Sequence, residues 1–167
     1  TNTTLTFTWD TTLVAAETYY ISAKVTLLSP ADDDPRDNLF IDGSVAFTVG
    51  HDLKVHDITI VTPEVIKGQL ANMSVTVLNQ GTSSESFNLY VNASNININS
   101  TSDSLSGGAN STYNISWNTA GVAGGTYTIR AYVPPVTGER LVDKADNLLV
   151  DGTVKVVIHD MNVTGIK

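Results

Sequence analysis

The 167-residue chain contains no cysteine. No disulfide can staple its fold, and neither thiol chemistry nor a cysteine-based metal site is available to it. Charge is scarce as well. Only 16% of residues are Asp, Glu, Lys or Arg, and nine basic residues face 17 acidic ones, a formal net charge of −8. A phosphate backbone is gripped by a basic face, so nucleic acid is not an expected partner. The acidic excess is too modest for a salt-adapted coat. There is no apolar run of the roughly 20 residues that a membrane-crossing helix needs and no signal peptide, although a window from mid-chain would show neither. No membrane contact is expected from this segment. Helical spacing of apolar residues is not sustained anywhere.

What is present is alternation of period two. In "STYNISW", Tyr113, Ile115 and Trp117 share one face while Thr112, Asn114 and Ser116 share the other. "TLTFTW" gives Leu5, Phe7 and Trp9 in the same way, and "GTYTIRAYV" gives Tyr127, Ile129, Ala131 and Val133. Composition is 41% hydrophobic with 36 serines plus threonines, a globular β-protein rather than a disordered tail. The pattern predicts strands near 53–61, 69–79, 85–92, 95–99, 111–117, 126–133, 146–150 and 153–158. Leu53 and Val55 differ in parity from Ile58 and Ile60, which predicts a bulge or sheet switch near His56–Asp57. One apolar face per strand calls for two sheets packed face to face: an all-β, immunoglobulin-like sandwich.

The chain also repeats itself. An offset of 108 residues lays "TYYISAKV" (18–25) on "TYTIRAYV" (126–133) and Trp9 on Trp117. With one inserted residue "DNLFIDGSV" (37–45) falls on "DNLLVDGTV" (146–154), and His51-Asp52 then meets His159-Asp160. Residues 1–50 therefore read as the C-terminal half of one repeat, 51–159 as a complete repeat and 160–167 as the first strand of another. By this reading the chain is a window on a tandem array. Trp9 and Trp117 read as core anchors, and His51, His56 and His159 as junction residues rather than ligands.

Asn-X-Ser/Thr occurs seven times, at Asn2, Asn72, Asn92, Asn99, Asn110, Asn114 and Asn162. About three such triplets are expected by chance from 14 asparagines and 36 serines plus threonines. Strand parity points Asn72, Asn92, Asn99 and Asn114 outward, and Asn110 lies in a loop, as glycan attachment requires. The expectation is an extracellular surface carrying covalent N-glycans. The ordinary alternative is that exposed asparagines simply neighbour exposed threonines.

Three stretches resemble the CARDB (cell-adhesion-related) domain of archaeal and bacterial surface proteins: "VLNQGTSSESF", then "WNTAGVAGGTY", then "DNLLVDG". The resemblance spans 51–159, with 1–50 as a C-terminal half. It implies immunoglobulin-like sandwiches strung in tandem on secreted or surface-anchored proteins, and no catalytic residues. The loop "SPADDDPRDN" departs from its repeat counterpart. Asp32, Asp33, Asp34, Asp37 and Asp42 there are candidate calcium ligands, since calcium takes six to eight hard oxygens, but their spacing lacks the regularity of a dedicated calcium loop and a solvated acidic loop is the ordinary alternative. Asp146, Asn147 and Asp151 repeat the idea more weakly and suit turn formation. Glu17, Glu64, Glu85 and Glu139 stand singly near turns. No nucleophile lies beside a base in a recognisable elbow, so no enzyme is expected and no cofactor beyond calcium.

Two functions follow. The first is a structural or adhesive repeat of an extracellular stalk, sheath, surface layer or filament on a microbial, archaeal cell. Its partners are neighbouring repeats and identical chains, joined laterally through sheet edges. The second is a carbohydrate- or cell-surface-binding module, calcium-dependent, with Tyr20, Tyr90 and Tyr132 as outward contacts.

Overall fold

The computed structural model describes residues 2–29 and 31–159. They form ten strands and no helix, so none of them is in a helix that could cross a membrane. The final strand expected at 160–167 and the sequon asparagine Asn162 lie outside the described residues. The chain divides into two compact units, residues 1–49 and 50–167.

The first unit holds β1 (Thr18–Lys24) and β2 (Leu39–Ala46), paired antiparallel. The second holds β3 (Leu53–Ile60), β4 (Glu64–Ile66), β5 (Leu70–Asn79), β6 (Glu85–Ala93), β7 (Ile96–Leu105), β8 (Asn110–Asn118), β9 (Gly125–Tyr132) and β10 (Leu148–Val157). One sheet runs β3-β5-β8 and the other β4-β10-β9-β6-β7. Pairing is antiparallel except for the short parallel β4–β10 ladder. The alternating apolar positions of both sheets meet in one core, in which Leu53, Val75, Val77, Leu89, Val91, Ile129 and Val154 are fully buried. Each such side chain contributes about 1.5–3 kcal/mol by leaving water.

Parity located most of these strands, and the exceptions are physical. The bulge foreseen near His56–Asp57 is there, as a register shift between Val55 and Asp57. The strand expected over 53–61 is β3, and a short strand that was not expected follows it: beyond Ile60 the chain crosses to the other sheet as β4, where the Pro63 carbonyl accepts from Lys155 N–H at 2.8 Å. β7 runs to Leu105 rather than ending at 99. It is an edge strand exposed along most of its length, so its polar residues carry little apolar period. The strands expected at 146–150 and 153–158 are one strand, β10, whose ladder shifts register between Val150 and Thr153. Gly152 makes that possible with a φ of +73°.

In the first unit, residues 5–9 form no strand despite their alternation, and Leu5 (71%), Phe7 (86%) and Trp9 (44%) are exposed. Trp9 is therefore not a buried anchor, whereas its counterpart Trp117 is 5% exposed. The reason is pairing. The counterpart segment, β8, is held by β5, and among the described residues of the first unit no strand takes the place of β5. What the first unit does hold is geometrically the β9–β10 hairpin again. Lys24↔Leu39, Ala23↔Phe40 and Ser22↔Ile41 pair as Tyr132↔Leu148, Ala131↔Leu149 and Arg130↔Val150 do, and both ladders then shift register at an Asp-Gly. Gly43 (φ +74°) matches Gly152. Trp9 meets Tyr19 edge-on at 5.0 Å, as Trp117 meets Tyr127 at 5.2 Å. The Tyr19 and Tyr127 hydroxyls each donate to the carbonyl four residues back, at 3.1 and 2.8 Å.

Gly152→Ala tests the bulge. A Cβ there would sit 2.5 Å from the Ile60 side chain on a left-handed backbone. Urea unfolding of the second unit is expected to show a loss of about 1–2 kcal/mol.

Candidate metal centre

The second unit begins where its entry peptide is clamped by the loop after β5. Thr82 N–H and Ser83 N–H donate to the Gly50 carbonyl at 3.1 and 2.9 Å, and Gln80 N–H donates to the Asp52 carbonyl at 2.8 Å. The fully buried Asn79 organises that loop. Its amide donates to the Ser83 and Leu105 carbonyls, and its Oδ1 accepts from Gly81 N–H at 3.0 Å. Gly81 is needed for the approach, since a Cβ there would lie 2.5 Å from the Gly50 oxygen. Beside it His51 Nδ1 meets Glu85 Oε1 at 2.5 Å. His51 thus holds a structural partner.

The opposite side of the entry strand is held by the connection between β9 and β10. Asn147 Nδ2 donates to the Leu53 carbonyl at 2.8 Å and the Asp146 carbonyl accepts from Val55 N–H at 3.0 Å. Glu139 Oε1 accepts from Leu53 N–H at 3.3 Å, and its Oε2 from Val136 N–H at 2.9 Å. These bonds satisfy the first backbone groups of β3, and they draw carboxylates together. Asp52, Glu139 and Asp146 place ligand oxygens within 4.8 Å of one another. Asp52 and Glu139 are 7% and 6% exposed.

The electrostatics are unfavourable as they stand. Asp52 Oδ1, Asp146 Oδ1 and Asn147 Oδ1 are buried without a hydrogen-bond partner. Such orphaned oxygens are costly. Burial, followed by the charges of Asp146, Asp143 and Glu139, pushes the Asp52 carboxyl up to about 6, against a smaller lowering by Arg140. Burial also raises Glu139, opposed by hydrogen bonds from Val136, Asn147 and Leu53. Asp146 is raised by burial too, with Lys54 opposing from 3.8 Å. Arg140 forms a two-pronged pair with Asp143, Nε–Oδ2 at 2.7 Å. The oxygens available to a ligand are therefore three carboxylates and one amide carbonyl, with neither sulfur nor imidazole among them, a set that suits hard cations.

The aspartates named from the sequence lie in the first unit. Asp33, Asp34, Asp37 and Asp42 are exposed and Asp32 is half-buried. Asp32 Oδ1 accepts from Asp34 N–H at 3.1 Å and Asp34 Oδ1 from Arg36 N–H at 3.3 Å, as turn-forming aspartates do. Among the described residues, no three of these five converge as Asp52, Glu139 and Asp146 do. Asp52 and Glu139 were not singled out as ligands, because the acids come from positions 87 residues apart and meet only through the fold. A signal existed nonetheless. The aspartates of "HD" (51–52) and "DN" (146–147) recur at 159–160 and 37–38, and core parity does not explain their repetition.

Of the sequon asparagines, Asn72 and Asn114 are exposed on the outer face of the three-stranded sheet, where Asn72 Oδ1 accepts from the Ser116 hydroxyl at 2.7 Å. Asn110 is exposed at the start of β8, and Asn2 in the first unit. Asn92 and Asn99 are half-buried on β6 and β7. Tyr90 and Tyr132 are direct cross-strand partners. With Asn92, Asn97, Arg130 and Leu148 they line an outer groove of about 340 Å³.

In chelator-treated protein, the raised carboxyl of Asp52 makes the folded state bind more protons than the unfolded state between about pH 4 and 6. Stability therefore falls as pH rises through that window, by about 3 kcal/mol for this group. Asp52→Asn removes the ionisable group at constant shape. Thermal unfolding at pH 4.5 and 7 is expected to show a smaller pH dependence in the variant and a higher midpoint than wild type at pH 7.

The CARDB family model matches residues 50–137. Among solved structures, the chain is similar to the CARDB domain of a Pyrococcus furiosus protein crystallised in complex with di-metal ions. The two are 24% identical over 68% of this chain and 95% of that one, with a TM-score of 0.55. It is also similar to a domain of a Methanosarcina acetivorans protein described as a cell-surface protein, at 24% identity over 68% of this chain and 98% of that one, with a TM-score of 0.50. No curated protein sequence matches it. The match of the family model over more than half of the sequence, on a sandwich of this construction, means that the chain belongs to the CARDB family.

Proposed function

We propose that this chain is a segment of an extracellular, N-glycosylated repeat protein, in which CARDB sandwiches strung in tandem build a stalk, sheath, surface layer or filament on an archaeal cell. The observation that carries the reading is the duplicated hairpin. Residues 18–46 reproduce the pairing and bulge of a complete sandwich's last hairpin, and Trp9 with Tyr19 reproduces its Trp–Tyr contact. Yet Ile21, Val25 and Val45 are exposed where Ile129, Val133 and Val154 are fully buried. A lone two-stranded hairpin is marginal in water, and an array covers it with strands of a preceding repeat or of an identical chain. Membership of a non-enzymatic domain family supports a mechanical rather than a catalytic role. The description of the Methanosarcina relative supports the surface location. Exposed Asn72 and Asn114 on the three-stranded sheet and Asn110 at the start of β8 offer attachment points for glycans that keep that sheet face in solvent.

A second reading, a carbohydrate-binding module, is favoured by the Tyr90–Tyr132 pair. Two adjacent aromatic rings beside Arg130 make a platform on which a sugar ring could stack.

The native protein stripped from cells tests both. Glycopeptide mass spectrometry is expected to find sugar on Asn72, Asn110 or Asn114, and negative-stain electron microscopy to find filaments, tubes or lattices. Separate flexible strings with bare asparagines would remove the structural reading. Binding to a glycan array that is lost in Tyr132→Ala would then establish the second.

A further inference from the structure

The buried acids of the second unit are not part of the hydrophobic core, yet they bring ligand oxygens within 4.8 Å of one another. We infer that Asp52, Glu139 and Asp146 bind one hard divalent cation of the calcium type, which staples the first strand of the sandwich to its last hairpin. Three observations converge on it. The carboxylate oxygens lie within 4.8 Å of one another, a separation that ligands of a common ion at 2.3–2.6 Å can span. Asp52 is more than nine-tenths buried and its Oδ1 has no hydrogen-bond partner, and Asp146 Oδ1 is a second buried oxygen without one. The nearby cations offset the cluster's charge only in part: Arg140 pairs with Asp143 and lowers Asp52 less than burial and the neighbouring acids raise it, and Lys54 stands 3.8 Å from Asp146 Oδ2.

The first unit carries the loop half of the same arrangement. Asn38 donates its amide to Asp32, as Asn147 does to Glu139. Val25 N–H donates to the Asn38 carbonyl at 2.9 Å, as Val133 N–H does to that of Asn147 at 3.0 Å. Asp37 precedes Asn38 as Asp146 precedes Asn147. Asp32 and Asp37 therefore stand for Glu139 and Asp146. The counterpart of Asp52 would come from the opening strand of that repeat, which residues 1–49 do not include. The acidic loop is thus a partial copy of the site, and among the described residues the complete cluster is that of Asp52, Glu139 and Asp146.

Binding is independent of the surface-array reading, and either can fail alone. The test uses the whole 167-residue chain, stripped with chelator and titrated with calcium chloride at neutral pH by calorimetry and by near-ultraviolet circular dichroism during heating. One calcium per chain is expected, with a melting midpoint raised by several degrees at about 1 mM free calcium. Asp52→Asn and Glu139→Gln are each expected to weaken binding at least about tenfold. Asp37→Asn is expected to leave it unchanged. Asp52→Asn guards against misfolding as an explanation, because without calcium it should melt no lower than wild type. No heat and no shift at about 10 mM calcium would overturn the inference, leaving the acids to share protons. Loss of binding in Asp37→Asn with retention in Asp52→Asn would move the site to the acidic loop and overturn it equally.

Discussion

A sheet with one apolar face has to be covered, and most of what distinguishes the two units follows from that. In residues 50–159 the β3-β5-β8 sheet lies over the β4-β10-β9-β6-β7 sheet, and Ile129, Val133 and Val154 disappear from solvent. In residues 18–46 the equivalent residues, set by the same ladder and the same Asp-Gly bulge, remain exposed. The local geometry of the hairpin survives without the cover. Backbone pairing, the left-handed glycine and the edge-on Trp–Tyr contact are properties of neighbouring segments. Burial is a property of the complete sandwich.

That division also marks how much was legible in the sequence. Alternation reports which side of a strand faces a core, so β5, β6, β8 and β9 could be placed within a residue or two. The clash of parity between Val55 and Ile58 exposed a bulge. Where one physical cause produced two effects, the reading went astray. Asp151-Gly152 looks like a break between strands but is a bulge within β10, since glycine permits both. β7 is longer than its apolar pattern because an edge strand exposed along most of its length, with only Ile98 and Leu105 turned to the core, shows little pattern. Leu5, Phe7 and Trp9 alternate as a strand should, yet alternation shows only the capacity to pair. With no strand in the place of β5 among the described residues to pair with, they form no strand.

The acidic cluster was hidden for a different reason. A run of aspartates, such as 32–34, draws attention because it is local, and local acids in a loop mostly satisfy each other's backbone, as Asp32 and Asp34 do. Asp52 and Glu139 stand alone in the sequence. They are brought together because the first residues of β3 need partners on the side away from β5, and Asn147, the Asp146 carbonyl and Glu139 provide them. Closing the sandwich thus carries the carboxylates into a buried corner, where their like charges and unpartnered oxygens oppose folding until a proton or a cation neutralises them.

The position of that corner gives the cation a mechanical meaning. The chain enters the second unit through Gly50–Asp52, a peptide gripped on one side by the Asn79–Ser83 loop and on the other by the β9–β10 connection. A pull on the N-terminal side of this unit reaches Asp52 before it reaches the β3–β5 ladder, which starts at Leu53. An ion held by Asp52, Glu139 and Asp146 spreads that load into the far sheet, so that the first strand cannot peel from β5 without also leaving the last hairpin. In an array of such units each entry strand would meet the same corner, built in part from the "DN" loop of its own repeat. Resistance to pulling would then depend on free cation as well as on the hydrophobic core. Neutralisation by protons would relieve the repulsion without adding that bridge, so the same corner can make the domain stable in acid and strong only with its cation.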